Sequence, residues 1–303
     1  MPSLKRNTVS IFAFVLVVIS AVIHASWNLL GKSSASSPAF FAMSCVGVGG
    51  LMLPLLGYVV MTIPELSSRF WWLLVVSGFF QMVYMAALAL AYKHADVGVV
   101  YPIARALPVM MVAGITAGLG QSLPWIAWGG MLVVTLGCLL VPLVTFRQWH
   151  WRAYTQQGCL WALLAAIGTA GYSVIDKQAV DMLAVAGVPA AVAAVFYLGA
   201  QFLAAGGWLM LLYLPRSRRS ELRQAWQLRR RALLTGGMMG GTYALVLLAM
   251  QYADNVSYVV ALRQLSIPVG VIFGIWWLKE PSHRPRLVGA SLVCLGLMAV
   301  SFR

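Results

Sequence analysis

Two arginines stand in stretches of this chain that are otherwise apolar. Arg105 lies nine residues after Asp96, and Arg263 nine residues after Asp254. On an α-helix that spacing is about 13 Å, so neither acid can neutralise its arginine along the same helix. A guanidinium in apolar surroundings needs carbonyls, distant side chains, water or a bound anion. Its planar fork suits a carboxylate held through paired hydrogen bonds. The chemistry the pair points to is capture of an anionic group. The plainer alternative is that each arginine caps carbonyls freed by Pro102, Pro108 or Pro268.

Other polar side chains fall where they would join such a site. Tyr101 is one turn before Arg105 and shares its helix face. Gln81 and Tyr84 share a face further upstream, and Tyr243 stands in a comparable later stretch. Near the start, His24, Asn28 and the Gly31-Lys32 step recur at helical spacing, with Trp27 beside Asn28. A polar stripe of this kind is expected to face a cavity or another helix rather than lipid. His24 is the one intramembrane group expected to titrate near neutral pH, which makes it the proton-coupling candidate. Trp27 has the π-face to stack on a substrate or cation. Each of these has a structural alternative: a packed aromatic, a hydrogen-bonded core histidine or an interhelical hydrogen bond.

The acids are Glu65, Asp96, Asp176, Asp181, Glu221, Asp254 and Glu280. All read as lying at stretch ends or in loops, and Asp176-Lys177 reads as an interfacial end. The expectation is that no carboxylate sits at mid-membrane and that no buried acid relay exists. A convergent His/Asp/Glu cluster is not legible, so neither an enzyme nor a metal site is expected. Cys45, Cys138, Cys159 and Cys294 form no CxxC pair and read as small core residues. No cofactor is expected.

The elements that must position these residues are apolar helices. The chain has 303 residues, 61% hydrophobic and 9% charged, too little charge to cover a soluble surface. Apolar runs of about twenty residues, enough to cross about 30 Å of hydrocarbon, follow one another almost to the C-terminus. Ten spans are expected, at about 9–30, 39–61, 71–92, 97–120, 124–145, 156–178, 187–214, 231–252, 256–279 and 285–302. Trp71, Trp72, Trp149, Trp151, Trp276 and Trp277 fall at their ends, as in an aromatic belt. The first run resembles a signal peptide after Lys5 and Arg6, but it continues to Leu30 and is read as a span. The net charge of +14 is concentrated between spans, above all over Arg216–Arg231. That distribution indicates contact with anionic lipid at a cytoplasmic surface, not nucleic acid.

The chain repeats itself. Ala95-Asp96 stands before Arg105 and Leu107 as Ala253-Asp254 stands before Arg263 and Leu265, and Pro108 and Pro268 follow. Tyr84 corresponds to Tyr243, Gly130 and Gly137 to Gly289 and Gly296, and Gln121 to Glu280. The stretch Ala25–Lys32 corresponds to Ala170–Lys177. The expected architecture is all-α, with ten transmembrane helices in two five-helix halves, residues 1–150 and 151–303. An odd number of spans per half makes the halves inverted, with a site at their interface. The glycine pairs Gly114–Gly118 and Gly270–Gly274 read as helix-packing surfaces.

These motifs carry a resemblance. HASWNLLGK in the first span, YPIAR with Pro108 in the fourth and LKEP before the last are similar to the drug/metabolite transporter superfamily, within it the EamA family. The resemblance covers essentially the whole chain. It implies a ten-helix carrier of amino acids, related metabolites, drugs or amino-acid-derived metallophores, most often an exporter of a bacterial inner membrane. The chain departs from the pattern at Gln121, where the first half often has the acid that the second half keeps as Glu280. Members of the family commonly have both termini in the cytoplasm. The positive-inside rule here favours the opposite, with Arg216–Arg231 inside and both termini outside.

The function expected is movement of a small polar, carboxylate-bearing metabolite by alternating access, with Arg105 and Arg263 holding anionic groups. Tyr84, Tyr101, Tyr243, Trp27, Asn28 and Gln81 would shape the site. The partners are the substrate and the bilayer, and the sequence leaves room for a homo-oligomer. Two alternatives remain: a flippase for lipid-linked substrates on the same fold, and a membrane scaffold that transports nothing.

Overall fold

The protein is seen in a computed structural model that describes residues 10–31, 37–62, 66–94, 97–148, 157–276, 279 and 281–301. For residues 25–31, 97–99, 101, 102, 148 and 216 only the backbone is described. Among the described residues the regular structure is helical: α1 (Ile11–Gly31), α2 (Pro38–Leu51), α3 (Leu53–Thr62), α4 (Ser68–His94), α5 (Val97–Gly118), α6 (Trp125–Leu140), α7 (Gln157–Val185), α8 (Ala190–Leu211), α9 (Arg219–Gln227), α10 (Arg229–Met250), α11 (Val256–Leu262), α12 (Ser266–Trp276) and α13 (Arg284–Ser301). In hydrocarbon a helix satisfies its backbone within itself, which is why apolar runs of this length adopt it.

Local signals set the helix ends. Ser37 caps α2 by accepting from the Phe40 amide at 3.1 Å, with Pro38 at the first helical position. Asn255 caps α11, accepting from the Ser257 amide at 2.8 Å. Beyond α5 and α7, Gly120 and Gly187 take φ values of 82° and 79°, which side chains disfavour. At each end the next amide turns back to an earlier carbonyl, Gln121 to Thr116 at 2.9 Å and Val188 to Leu183 at 3.0 Å.

Among the described residues six segments are long and apolar enough to cross a bilayer: α4, α7, α8, α10, α13 and the broken segment Val256–Trp276. The pair α2 and α3 forms a seventh if its 52° bend is one span. Pro54, at the start of α3, cannot donate to the preceding turn, which accounts for the break. Shorter apolar helices cover Ile11–His24, Ile103–Gly118 and Trp125–Leu140. Large apolar side chains such as Leu160, Trp72, Ile126 and Trp276 remain exposed on the outside of the bundle, where lipid would cover them.

The helices pack in a recurring set of pairs. Helix α4 lies on α7, and α1 on α10; α5 lies on α7, and α1 on α12; α4 lies on α8, and α2 on α10. Helix α6 packs on α13, and α2 on α8. Glycines allow the closest approaches. A Cβ at Gly137 would fall 2.7 Å from the Gly289 carbonyl oxygen, and one at Gly130 would fall 2.8 Å from that of Gly296. The reverse contacts are as tight, 2.7 Å from Gly289 to Gly137 and 2.6 Å from Gly296 to Gly130. Between α4 and α7, Gly168 meets the Tyr84 backbone and Gly171 the Phe80 ring in the same way.

Three expectations change. A Cβ at Gly114, Gly118 or Gly270 would meet nothing, so these glycines do not form the packing surfaces read from their spacing. Helix α5 runs unbroken through Pro102 and Pro108, whereas the later stretch breaks into α11, a 3₁₀ turn at Arg263–Leu265, and α12. Pro268 cannot donate to the carbonyl four residues earlier, and the tighter turn falls there. Helix α7 continues to Val185, seven residues past the expected end of its span. Asp176 is therefore well inside a helix rather than at its end.

Candidate functional site

The broken segment sets Arg263 apart from Arg105. Arg263 opens the 3₁₀ turn, half-buried, with its guanidinium carbon 5.3 Å from the centre of the Tyr243 ring. The guanidinium also meets the Tyr172 hydroxyl, and Tyr84 contributes to its electrostatic surroundings. Arg105 is half-buried on continuous α5. Its Nη2 donates to the Ser266 hydroxyl at 2.5 Å, and that hydroxyl donates to the Arg263 carbonyl at 3.0 Å. One serine thus links the two arginine positions. The charges of Arg105 and Arg263 both act on half-buried His24 of α1.

Three tyrosines make a ladder below Arg263. Tyr84 and Tyr172 meet edge to face at 5.9 Å, and Tyr172 and Tyr243 at 5.6 Å. The ladder ends on Asp176, which is fully buried. Its Oδ2 accepts from the Tyr243 hydroxyl and from Gln201 Nε2 at 2.8 Å. Its Oδ1 accepts from Ser77, from Tyr197 at 2.8 Å and from Gln201 Nε2 at 3.0 Å. Gln201 Nε2 also lies 2.8 Å from the Ser77 hydroxyl oxygen. The donors come from α4, α8 and α10, so one carboxylate ties three helices to α7. Among the described residues no lysine or arginine forms an ion pair with it; Lys177 pairs instead with Asp181 at 2.6 Å.

This overturns the reading of Asp176 as the end of its helix: its carboxylate is buried well within α7. Ending span six next to Lys177 places Asp176 at an interface, and that end is too early. A signal is present in the chain: Ala179-Val180 and Met182–Val185 continue the apolar pattern beyond it. Ser77, Tyr197 and Gln201 give less, being single polar residues in long apolar runs.

Of the other expected residues, Tyr84 and Tyr243 join Arg263, and His24 comes near both arginines. Gln81 is buried on α4, and its Oε1 has no hydrogen-bond partner among the described residues. Trp27 and Asn28 lie on α1 and Tyr101 on α5, but their side chains are outside the described residues, as are Asp96 and Glu280. Two hollows of about 400 and 450 Å³ occur at the surface around α9, lined by residues such as Trp226, Arg229 and Met43. Neither is lined by Arg105 or Arg263.

Helix α9 lies within the basic stretch. Ala225 packs with Ala39 and Tyr213, while Trp226 is exposed and carries Arg229 over its ring at 5.4 Å. Burial first and the Glu221 carboxylate second push the Tyr213 hydroxyl up to about 12, so it remains protonated and donates to Glu221 at 3.4 Å.

Comparison with known proteins bears on this arrangement. Residues 156–302, which include Asp176, Tyr243 and Arg263, match the EamA-like transporter family. That stretch belongs to the family. The chain is a multi-pass membrane protein, and the family places it among transporters. No curated protein matches it. A protein of known crystal structure is similar, with a TM-score of 0.64 and 17% identity over 95% of this chain and 97% of that one. At that identity the likeness concerns the fold alone, and it extends over nearly the whole chain.

Proposed function

We propose that this protein is an alternating-access carrier of the bacterial inner membrane that exports a small polar, carboxylate-bearing metabolite, such as an amino acid or an amino-acid-derived metallophore. The proposed architecture is ten spans in two inverted repeats, residues 1–150 and 151–303. The packing supports it. Exchanging each first-half helix for its sequence counterpart turns the α4–α7 contact into α10–α1, α5–α7 into α12–α1, and α4–α8 into α10–α2, all of which occur. Under the same exchange the Gly130–Gly296 contact becomes Gly289–Gly137.

The observation that carries the functional reading is the Ser266 link between Arg105 and Arg263. Ser266 joins the Arg105 guanidinium to the backbone carbonyl of Arg263, so one neutral hydroxyl ties the two arginine positions together. A carboxylate arriving between the halves would offer Arg105 a stronger acceptor than Ser266. The Arg105–Ser266 bond then belongs to the closed protein, and substrate replaces it. Tyr84 and Tyr243 set the lateral position of Arg263, and Trp27, Asn28, Tyr101 and Gln81 complete the walls in this reading. Metabolite profiling of spent medium, with and without the protein, tests it: one class of carboxylate should accumulate outside only when the protein is present.

A second reading, a scaffold that moves nothing, has one observation in its favour. Ser266 satisfies part of the Arg105 guanidinium from within the protein. It predicts identical spent media.

For orientation, we place Arg216–Arg231 in the cytoplasm. Seven arginines against Glu221 give an excess of about six positive charges, and exposed Trp226 on α9 suits the headgroup layer.

A further inference from the structure

We propose that Asp176 is the proton-carrying site of the transport cycle, and that Tyr243 passes its charge state to Arg263. The proposal rests on the carrier reading above.

A carboxylate enclosed among helices without a cation is costly to keep charged, and it holds its charge only through hydrogen bonds that favour the ionised form. The site supplies such bonds from every side. Ser77 from α4, Tyr197 and Gln201 from α8 and Tyr243 from α10 all donate to it. Tyr197 and Tyr243 are the titratable groups that touch it. Tyr172 stands one turn earlier on α7, and Arg263 lies across the Tyr243 ring. Among the described residues, α5 and α11, which also pack on α7, bring no charged side chain into contact with it. A structural acid of this kind is usually paired with a base.

The site also holds what the protonated form would need. An ionised carboxylate only accepts, whereas a protonated one must donate once. The Gln201 Oε1 is buried and has no hydrogen-bond partner among the described residues. Half a turn of that amide exchanges its nitrogen and oxygen, and Oε1 then accepts the carboxyl hydrogen. The other outlet is Tyr243. A proton passed from hydronium to Oδ2, leaving water, can be offered as a hydrogen bond to the Tyr243 oxygen, and the Tyr243 hydrogen then turns from Asp176 to another acceptor. One O–H bond breaks in the hydronium and one forms on the carboxyl.

Tyr243 cannot change partners without consequence, because Arg263 rests on its ring. Protonation of Asp176 therefore alters the support of a proposed substrate ligand on the other side of one tyrosine. His24 is less suited to the same task. A proton there would place a third positive charge beside Arg105 and Arg263.

The test uses the full-length protein reconstituted in lipid, and reads the protonated-carboxyl C=O band by infrared difference spectroscopy as pH is lowered. The expected result is a titrating band that Asp176→Asn removes and that Tyr243→Phe moves to higher pH, since loss of the donor disfavours the charged form. The pH profile of metabolite efflux should flatten in Asp176→Asn, while His24→Gln keeps it. A band that Asp176→Asn leaves in place would overturn the proposal, as would an unshifted band in Tyr243→Phe or an unchanged efflux profile in Asp176→Asn. Should Asp176→Asn fail to fold, Tyr243→Phe decides by its band. Failure of the carrier reading is separate: it would appear as no efflux from the wild type, whatever the infrared titration gives.

Discussion

Arg105 donates to Ser266 at 2.5 Å, from α5 to the first residue of α12, across the boundary between the two halves of the sequence. The acceptor that this bond gives to a costly charge is neutral. It is therefore a bond that an anion can displace. Lysine at position 105 would keep the charge and lose the fork. Arg105→Lys should lower efflux about tenfold or more at equal membrane abundance, the size of one lost charge-assisted hydrogen bond. Ser266→Ala removes a hydrogen bond to a charged group, so it should cost about 1.5–3 kcal/mol of stability and leave efflux measurable. Efflux assays on protein-matched membranes check both.

The α6–α13 contact is set by four glycines with carbonyls as their neighbours. Gly137→Leu would drive a side chain against the Gly289 carbonyl and the Val293 amide, neither of which is a flexible end. The helices would have to part, at a cost of about 1–3 kcal/mol or more. The same change at Gly114, where a Cβ meets nothing, should be nearly neutral. Thermal unfolding in detergent distinguishes the two.

Tyr243 contributes to stability as well as to the proposed proton site. A hydrogen bond to a charged group is worth about 1.5–3 kcal/mol. Tyr243→Phe keeps the ring beneath Arg263 and removes only the hydroxyl. Its unfolding temperature should fall clearly, and more than that of Tyr84→Phe, whose position on the ladder is two rings further from Asp176. Parallel melting curves check the order.

Much of this arrangement is legible in the chain. Arg105 and Arg263 and the matching Tyr84 and Tyr243 are residues that the fold brings near one another, because a polar group in an apolar run must find polar company away from lipid. Each expected apolar stretch falls on a helix or a broken helix for the same reason. Asp176 escapes notice because a charged pair, Asp176-Lys177, resembles an interface, and sequence does not reveal that Lys177 turns away to Asp181. The glycines mislead in the opposite direction. Spacing alone favours Gly114–Gly118, but what decides is the neighbouring helix, and Gly130 and Gly137 have one. The break at Arg263 rather than in α5 is not legible either, since both stretches carry proline.

Orientation is open to a direct test. With Arg216–Arg231 in the cytoplasm, a cysteine in place of Ser217 should resist a membrane-impermeant thiol reagent added to intact cells and react after lysis. Ready labelling of intact cells would place that loop outside and reverse the orientation.

The most direct test of the carrier reading is the spent medium of cells that lack the protein, express it, or express Arg105→Lys or Arg263→Lys at equal abundance. We predict that one carboxylate-bearing class accumulates outside with the wild type and falls toward the level of the null strain with either variant. Identical media with and without the wild type would contradict transport. Undiminished efflux by both variants would contradict the arginine site.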